Sequence, residues 1–213
     1  MEGRAWPLGR LRISTPLLHL RVPSDAMLDC LAQLAVQAPK DSDYLPFGRP
    51  RRDEPDDLIR LDIMQDVWRQ RASWQPDNWT LQLVAVRDGR LVGTQSLFAR
   101  DFAIVRAVGT SSWVPPRCRG QGVGKEMRAA ILHLAFAELG ALSAGTGAFE
   151  GNLASLAVSR ALGYQPNGIN WEAWRGLRTR ALRFLLEREQ WSDQRRPDIT
   201  VRGIQACRAL FGL

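Results

Sequence analysis

The residues in this chain whose types and spacing could do chemistry converge on one heptapeptide, Arg119-Gly120-Gln121-Gly122-Val123-Gly124-Lys125. It follows an apolar, strand-like stretch ending at Trp113-Val114 and a pair of prolines, Pro115-Pro116. It precedes a stretch with helical spacing of Met127, Ile131, Leu134 and Ala135 that runs to Leu139, with Gly140 in the stop position. A strand, a glycine turn and a helix start, in that order, make an anion site. The unpaired N–H groups of the first helical turn point outward, the helix dipole favours negative charge there, and glycines let the backbone approach a phosphate closely. Other reactive residues are sparse. His19 and His133 are the two histidines, and Cys30, Cys118 and Cys207 form no Cys-x-x-Cys pair, so neither a metal site nor a disulfide framework is indicated. Cys118 adjoins the loop, but no histidine lies near it in sequence to activate it as a nucleophile.

Spacing separates the families that use such a turn. A phosphate loop of the nucleoside triphosphatases needs Gly-x-x-x-x-Gly-Lys-Ser/Thr, and here Arg119 holds the first glycine position and Glu126 the last. A dinucleotide fingerprint needs Gly-x-Gly-x-x-Gly and an acidic residue at the end of a second strand. The spacing here is Gly120-x-Gly122-x-Gly124, and Glu138 falls within the helical stretch. The pattern Arg/Gln-x-x-Gly-x-Gly/Ala does hold, as Arg119-x-x-Gly122-x-Gly124. Downstream come Asn152-Leu153-Ala154-Ser155 and then Val158-Ser159-Arg160-Ala161-Leu162-Gly163-Tyr164. In these features the chain resembles the GNAT superfamily of N-acetyltransferases, in which the loop wraps the pyrophosphate of coenzyme A and a helix ends in Leu-Gly-Phe/Tyr. The Asn-x-x-Ser form is similar to the subgroup that acetylates ribosomal-protein N-termini. The similarity spans roughly residues 15 to 190.

The resemblance implies a co-substrate, acetyl-CoA or another acyl-CoA such as succinyl-CoA, whose carboxylate would suit an arginine-rich chain, and no metal. It implies direct attack by an amine acceptor, either a protein N-terminus or a small-molecule amine. The cofactor contacts it implies are Trp113, Val114, Arg119, Gly120, Gln121, Gly122, Val123, Gly124, Lys125, Asn152 and Ser155. Ser155 is the candidate to protonate or orient the departing thiolate, and Glu172 the candidate base, with Glu150 and Asp101 as rivals. Each of these also has a plainer reading: Asn152 as a helix cap, Ser155 as a first-turn serine, the carboxylates as surface charge. Trp68, Trp74, Trp171 and Trp174 are offered either to a pocket wall or to the core. Homodimers are common among similar proteins.

The elements that must position these residues read as follows. Leu17–Val22 is a strand, and Ser24 or Asp25 caps a helix from Ala26 to Gln37. Pro39 to Pro55 is a proline-rich loop, and Asp57 to Trp74 is a second helix. Trp79–Val86 and Leu91–Leu97 form a hairpin around Asp88-Gly89. A strand follows over Ile104–Val114, with Gly109 suggesting a bulge, then a strand over Ala141–Phe149, a short helix over Leu153–Leu162, and strands over Ile169–Trp174 and Thr179–Leu186. The expected class is α/β (α+β): one GNAT-type domain whose mixed, largely antiparallel central sheet is splayed at the acyl-CoA site and flanked by helices. Residues 1–15 are expected as a flexible leader, 16–190 as the acyltransferase domain, and 191–213 as an extension packed on it.

The 213 residues carry a formal charge of +7 and a pI near 10.3. That excess suits a nucleic acid, an anionic membrane surface or an anionic cofactor. No run of basic residues exceeds two, and no RNA-binding or recognition-helix pattern accompanies the charge. No apolar run approaches a membrane span, and the N-terminal residues lack the apolar core of a signal peptide, so the expected location is cytoplasmic. A non-catalytic coenzyme A-binding relative stays open beside the enzyme.

Overall fold

The Asp88-Gly89 signal marks the middle of the sheet. In the computed structural model, which describes residues 5–38 and 55–213, β3 (Asn78–Arg87) pairs antiparallel with β4 (Arg90–Arg100) across that two-residue turn. Asp88 and Gly89 take φ of 51° and 73°, the left-handed pair such a turn requires. Arg175 and Gly176, at 53° and 73°, join β7 (Gln165–Trp174) to β8 (Leu177–Glu187) in the same way.

The described strands form one nine-stranded sheet in the order β7-β8-β6-β5-β4-β3-β2-β1-β9. The remaining members are β1 (Arg12–Ser14), β2 (His19–Arg21), β5 (Ala107–Trp113), β6 (Ser143–Phe149) and β9 (Thr200–Arg202). Every ladder is antiparallel except that of β5 with β6. A parallel pair needs a crossover, which α4 (Val123–His133) and its π-helical continuation Leu134–Glu138 supply. Helices α1 (Asp25–Val36) and α2 (Asp56–Ala72) pack together around Leu28, Leu31, Ile59 and Ile63. Ser24 caps α1 by accepting from Met27 N. The α/β class with a mixed, largely antiparallel sheet is as expected.

Three expectations differ from the structure. Residues 5–15 are not a loose leader: Pro7–Arg10 makes a 3-10 turn, β1 joins the sheet, and Leu8, Leu11 and Ile13 are fully buried. Intervening Gly9, Arg10 and Arg12 hide that apolar spacing in the sequence. Gly109 marks no bulge, because the β4–β5 ladder runs regularly through Phe98↔Gly109. The Phe98 ring lies across the glycine, and a Cβ there would sit 2.1 Å from a ring carbon. The strand expected from Ile104 begins at Ala107, because Phe102–Val105 forms the short helix α3 between left-handed Asp101 and Arg106. Of the proline-rich loop, residues 39–54 lie outside the described residues.

The C-terminal segment completes the core. α6 (Arg188–Ser192) buries Trp191, β9 pairs with β1, and a 3-10 turn over Gln205–Phe211 buries Cys207 and Phe211. Phe211 meets Trp74 and Trp79 at ring distances of 5.4 and 4.8 Å, and Trp6 stands edge-on to Trp74 at 5.7 Å. Trp74 is therefore core, its Nε1 donating to Leu210 O at 2.7 Å.

His133, 6% exposed at the end of α4, stands edge-on to Trp191 at 6.0 Å. Burial first, and the Arg195 charge second, lower its pKa below the usual 6.5. The unfolded chain then takes up a proton at a pH where the folded one does not. Stability present above the unfolded pKa is lost as pH falls through the folded one. Stability should decline as pH falls below about 6.5, by at most about 1.4 kcal/mol per pH unit from this group. His133→Gln should flatten the decline, and parallel slopes for the two proteins would remove His133 as its source.

Candidate active site

β5 and β6 pair at three positions, Ala107↔Ser143, Val108↔Ala144 and Gly109↔Gly145, and then part. β5 stays with β4 as far as Thr94↔Trp113, while β6 follows β8 as far as Phe149↔Ala181. Side chains hold the fork where the ladder stops. Thr110 Oγ1 donates to Gly145 O at 3.3 Å, and Thr146 Oγ1 donates to Thr110 O at 3.2 Å. The fork opens into a cavity of about 380 Å³, the size of a small-molecule site.

Pro115 stops β5, Pro116–Cys118 makes a 3-10 turn, and α4 starts at Val123. Gly120 and Gly122, with φ of 71° and 77°, hold the left-handed conformations the turn needs. Nothing stands within 4 Å of where either Cβ would lie, so that side of the turn is open. Gly122 is the N-cap of α4 and brings no side-chain acceptor, which leaves the first-turn N–H groups to an anion. Arg119 Nε donates to Val114 O at 3.1 Å, tying the turn back to the end of β5. Behind the turn, buried Glu126 accepts two bonds from Arg196, at 2.6 and 3.1 Å. Arg196 also grips Asp198, and these carboxylates, Asp198 before Glu126, hold its pKa above the usual arginine value. The C-terminal segment thereby fixes the first turn of α4.

Most of the residues expected from the sequence line this one cavity: Trp113, Val114, Arg119, Gly120, Gly122, Val123, Gly124, Lys125, Asn152 and Ser155. Asn152 is also the N-cap of α5 (Leu153–Ala161), its Oδ1 accepting from Ser155 N at 3.0 Å, so the plain reading and the functional one coexist. Gln121 does not line the cavity. Its side chain accepts from Arg87 Nη2 and donates to Arg117 O, bracing the turn from outside.

The carboxylates fare differently. Glu172 is exposed on β7 and does not line the cavity. It pairs with Thr179, two residues beyond the Ala181 that faces Phe149, so it stands past the end of β6 on the side where β5 and β6 part. Glu150 follows β6 directly and is held by Arg180 at 2.9 Å. Asp101 precedes α3 at the opposite end of β5, so the sheet separates it from the fork. Nor do the tryptophans form a wall. Trp68 donates to Asp25, Trp171 lies under the Arg178 guanidinium at 3.8 Å, and Trp174 packs on Phe149 at 4.9 Å.

Ser112 and Arg128 also line the cavity, neither of them singled out in the sequence, as do Cys118 beside the turn and Ala154 and Val158 of the downstream motifs. Arg128 was within reach, since it falls one helical turn after Gly124 and so on the same face of α4. Among the described residues no group of three His, Cys, Asp or Glu side chains could hold a metal ion, and no helix is long and apolar enough to cross a membrane.

A family model described as an acetyltransferase (GNAT) domain matches residues 18–165. Among solved structures, the ribosomal L7/L12 alpha-N-protein acetyltransferase RimL in complex with coenzyme A superposes with a TM-score of 0.65 at 17% identity, over 81% of this chain and 95% of that one. A spermidine N-acetyltransferase SpeG chimera from Vibrio cholerae and hSSAT gives 0.65 at 15% identity, over 83% and 99%. At these identities the likeness is one of fold.

Proposed function

The chain belongs to the acetyltransferase (GNAT) family, and on that premise we propose that it moves an acyl group, acetyl by default, from coenzyme A to the primary amine of a peptide or protein N-terminus. The observation that carries the proposal is the meeting of the uncapped glycine turn, the fork between β5 and β6, and the Asn152–Ser155 cap on a single cavity. The residues present fit coenzyme A. The open faces of Gly120 and Gly122, with Arg119 and Lys125, suit the pyrophosphate, and the fork leaves the outer part of β5 without its β6 partner to receive the pantetheine arm. When bound, acyl-CoA supplies the thioester carbon that the amine attacks.

The protein's own groups then divide the work. Backbone N–H groups of β5 near Trp113 and Val114 stabilise the oxyanion. Ser155, half-buried at the cavity, orients the departing sulfur; its hydroxyl is too weak an acid to do more than pass a proton from water. Glu172 takes the ammonium proton from the acceptor side. An N-terminal amine, with an ordinary pKa near 8, asks little of that base. Charge supports this acceptor class, alongside the Asn-x-x-Ser resemblance. A polycationic amine would meet a chain of net charge +7 and Arg178, Arg180 and Arg183 on β8.

Release of free coenzyme A thiol from acetyl-CoA is the test. It should occur with free-N-terminus peptides and not with their N-blocked forms. Turnover with spermidine but with no peptide would replace the acceptor class. Tight coenzyme A binding with no turnover on any amine would make the chain a binding protein. Glu172→Gln should lower turnover about a hundredfold with the acetyl-CoA affinity retained, and unchanged turnover at neutral pH would remove Glu172 from the role.

A further inference from the structure

The cavity contains a buried cation that the fold does not neutralise. Arg128 lies on α4, 2% exposed, and lines the same cavity as the glycine turn. Its Nη1 donates to Thr146 Oγ1 at 2.9 Å and its Nη2 to Ser112 Oγ at 3.4 Å, while its Nε has no partner. Both partners are neutral hydroxyls, and no carboxylate among the described residues forms an ion pair with it. Buried charges are normally paired, because desolvation is costly unless an opposite charge offsets it. The family match does not account for this cation, and the steps above do not use it.

Its position says which anion would answer it. The pyrophosphate belongs at the start of α4, and Arg128 lies five residues further on, about 7.5 Å along the helix axis. Thr146 is the first residue of β6 beyond the last β5–β6 pair, and Ser112 is on β5 beside Trp113. The guanidinium therefore spans the inner end of the fork, where the acyl end of the donor is directed. A fork of N–H donors there matches a carboxylate, whose two oxygens accept in parallel.

We propose that Arg128, with Ser112 and Thr146, forms a carboxylate subsite, and that the preferred donor is an acyl-CoA whose acyl chain ends in a carboxylate, of about succinyl size. This rests on the acyl-CoA reading above and replaces its default acetyl group. The Arg128 contact makes the acyl carboxylate an anchor, so acetyl-CoA binds without it.

Calorimetric titration of the full chain with coenzyme A, acetyl-CoA and succinyl-CoA tests this without an acceptor. The wild type should bind succinyl-CoA about ten- to hundredfold more tightly than acetyl-CoA, the range expected of charge-assisted bonds. Arg128→Met should collapse that ratio towards one, and Arg128→Lys should restore part of it. Equal wild-type affinities for the two thioesters would overturn the subsite while leaving coenzyme A binding intact, and this arm needs no variant to fold. If Arg128→Met weakened both in parallel, the ratio would stand and Arg128 would be a strap between the strands. If none of the three ligands bound, the acyl-CoA reading itself would fall, and the subsite with it.

Discussion

Gly124→Glu should weaken coenzyme A binding at least about a hundredfold while the thermal midpoint hardly moves. A Cβ on Gly124 would stand 3.6 Å from Val114 Cγ2 and 3.9 Å from Val158 Cγ2, in ordinary contact. Gly124→Ala therefore serves as the control and should bind normally. A longer side chain has to enter the cavity that the turn, β5 and α5 enclose. The glutamate also adds a negative charge where the proposed function puts the pyrophosphate. Two like charges about 4 Å apart repel by about 4 kcal/mol at the effective dielectric of a protein surface, and screening by salt leaves enough for a hundredfold effect. Folding does not suffer in step, because position 124 is in the first turn of α4, where an acidic side chain complements the helix dipole. Calorimetry with coenzyme A and a thermal melt read the two halves of the prediction. Unimpaired binding by the glutamate variant would mean that the pyrophosphate lies elsewhere.

Phe211→Ala should cost about 3–5 kcal/mol of folding stability, read as a shift in the urea midpoint at constant slope. Phe211 is fully buried two residues before Leu213, its ring 4.8 Å from Trp79 of β3 and 5.4 Å from Trp74. The cavity left behind is walled by large rings that cannot collapse into it. Domains of this kind have about 5–15 kcal/mol in total, so one residue in the last turn carries a large share. A loss under about 1 kcal/mol would show the C-terminal turn to be peripheral. The effect should extend to the candidate site, because the same segment carries Arg196, whose grip on Glu126 holds the first turn of α4.

Some of this was determined by local sequence. The Asp88-Gly89 turn, the Ser24 and Asn152 caps, and the glycine turn each depend on the conformational needs of a few adjacent residues, and those needs are written in residue type. Hence a glycine turn before a helix start could be read at Arg119–Lys125 from residue types alone, while Asn152 and Ser155 were set beside it by the family resemblance; the structure lines one cavity with most of these residues. What depended on long-range pairing was hidden. Leu8, Leu11 and Ile13 are buried where β1 joins the sheet between β2 and β9, the latter nearly two hundred residues away. Gly109 announced an irregularity, but only its register opposite Phe98 shows that the glycine makes room for a ring. Glu172 could be assigned to a strand, yet its distance from the fork depends on how far β7 and β8 run past β6. Arg128 looked like one more arginine in a basic chain. Only the parting of β5 from β6 turns it into a buried cation facing the cavity, because charge acquires its chemical meaning from the dielectric and the partners around it.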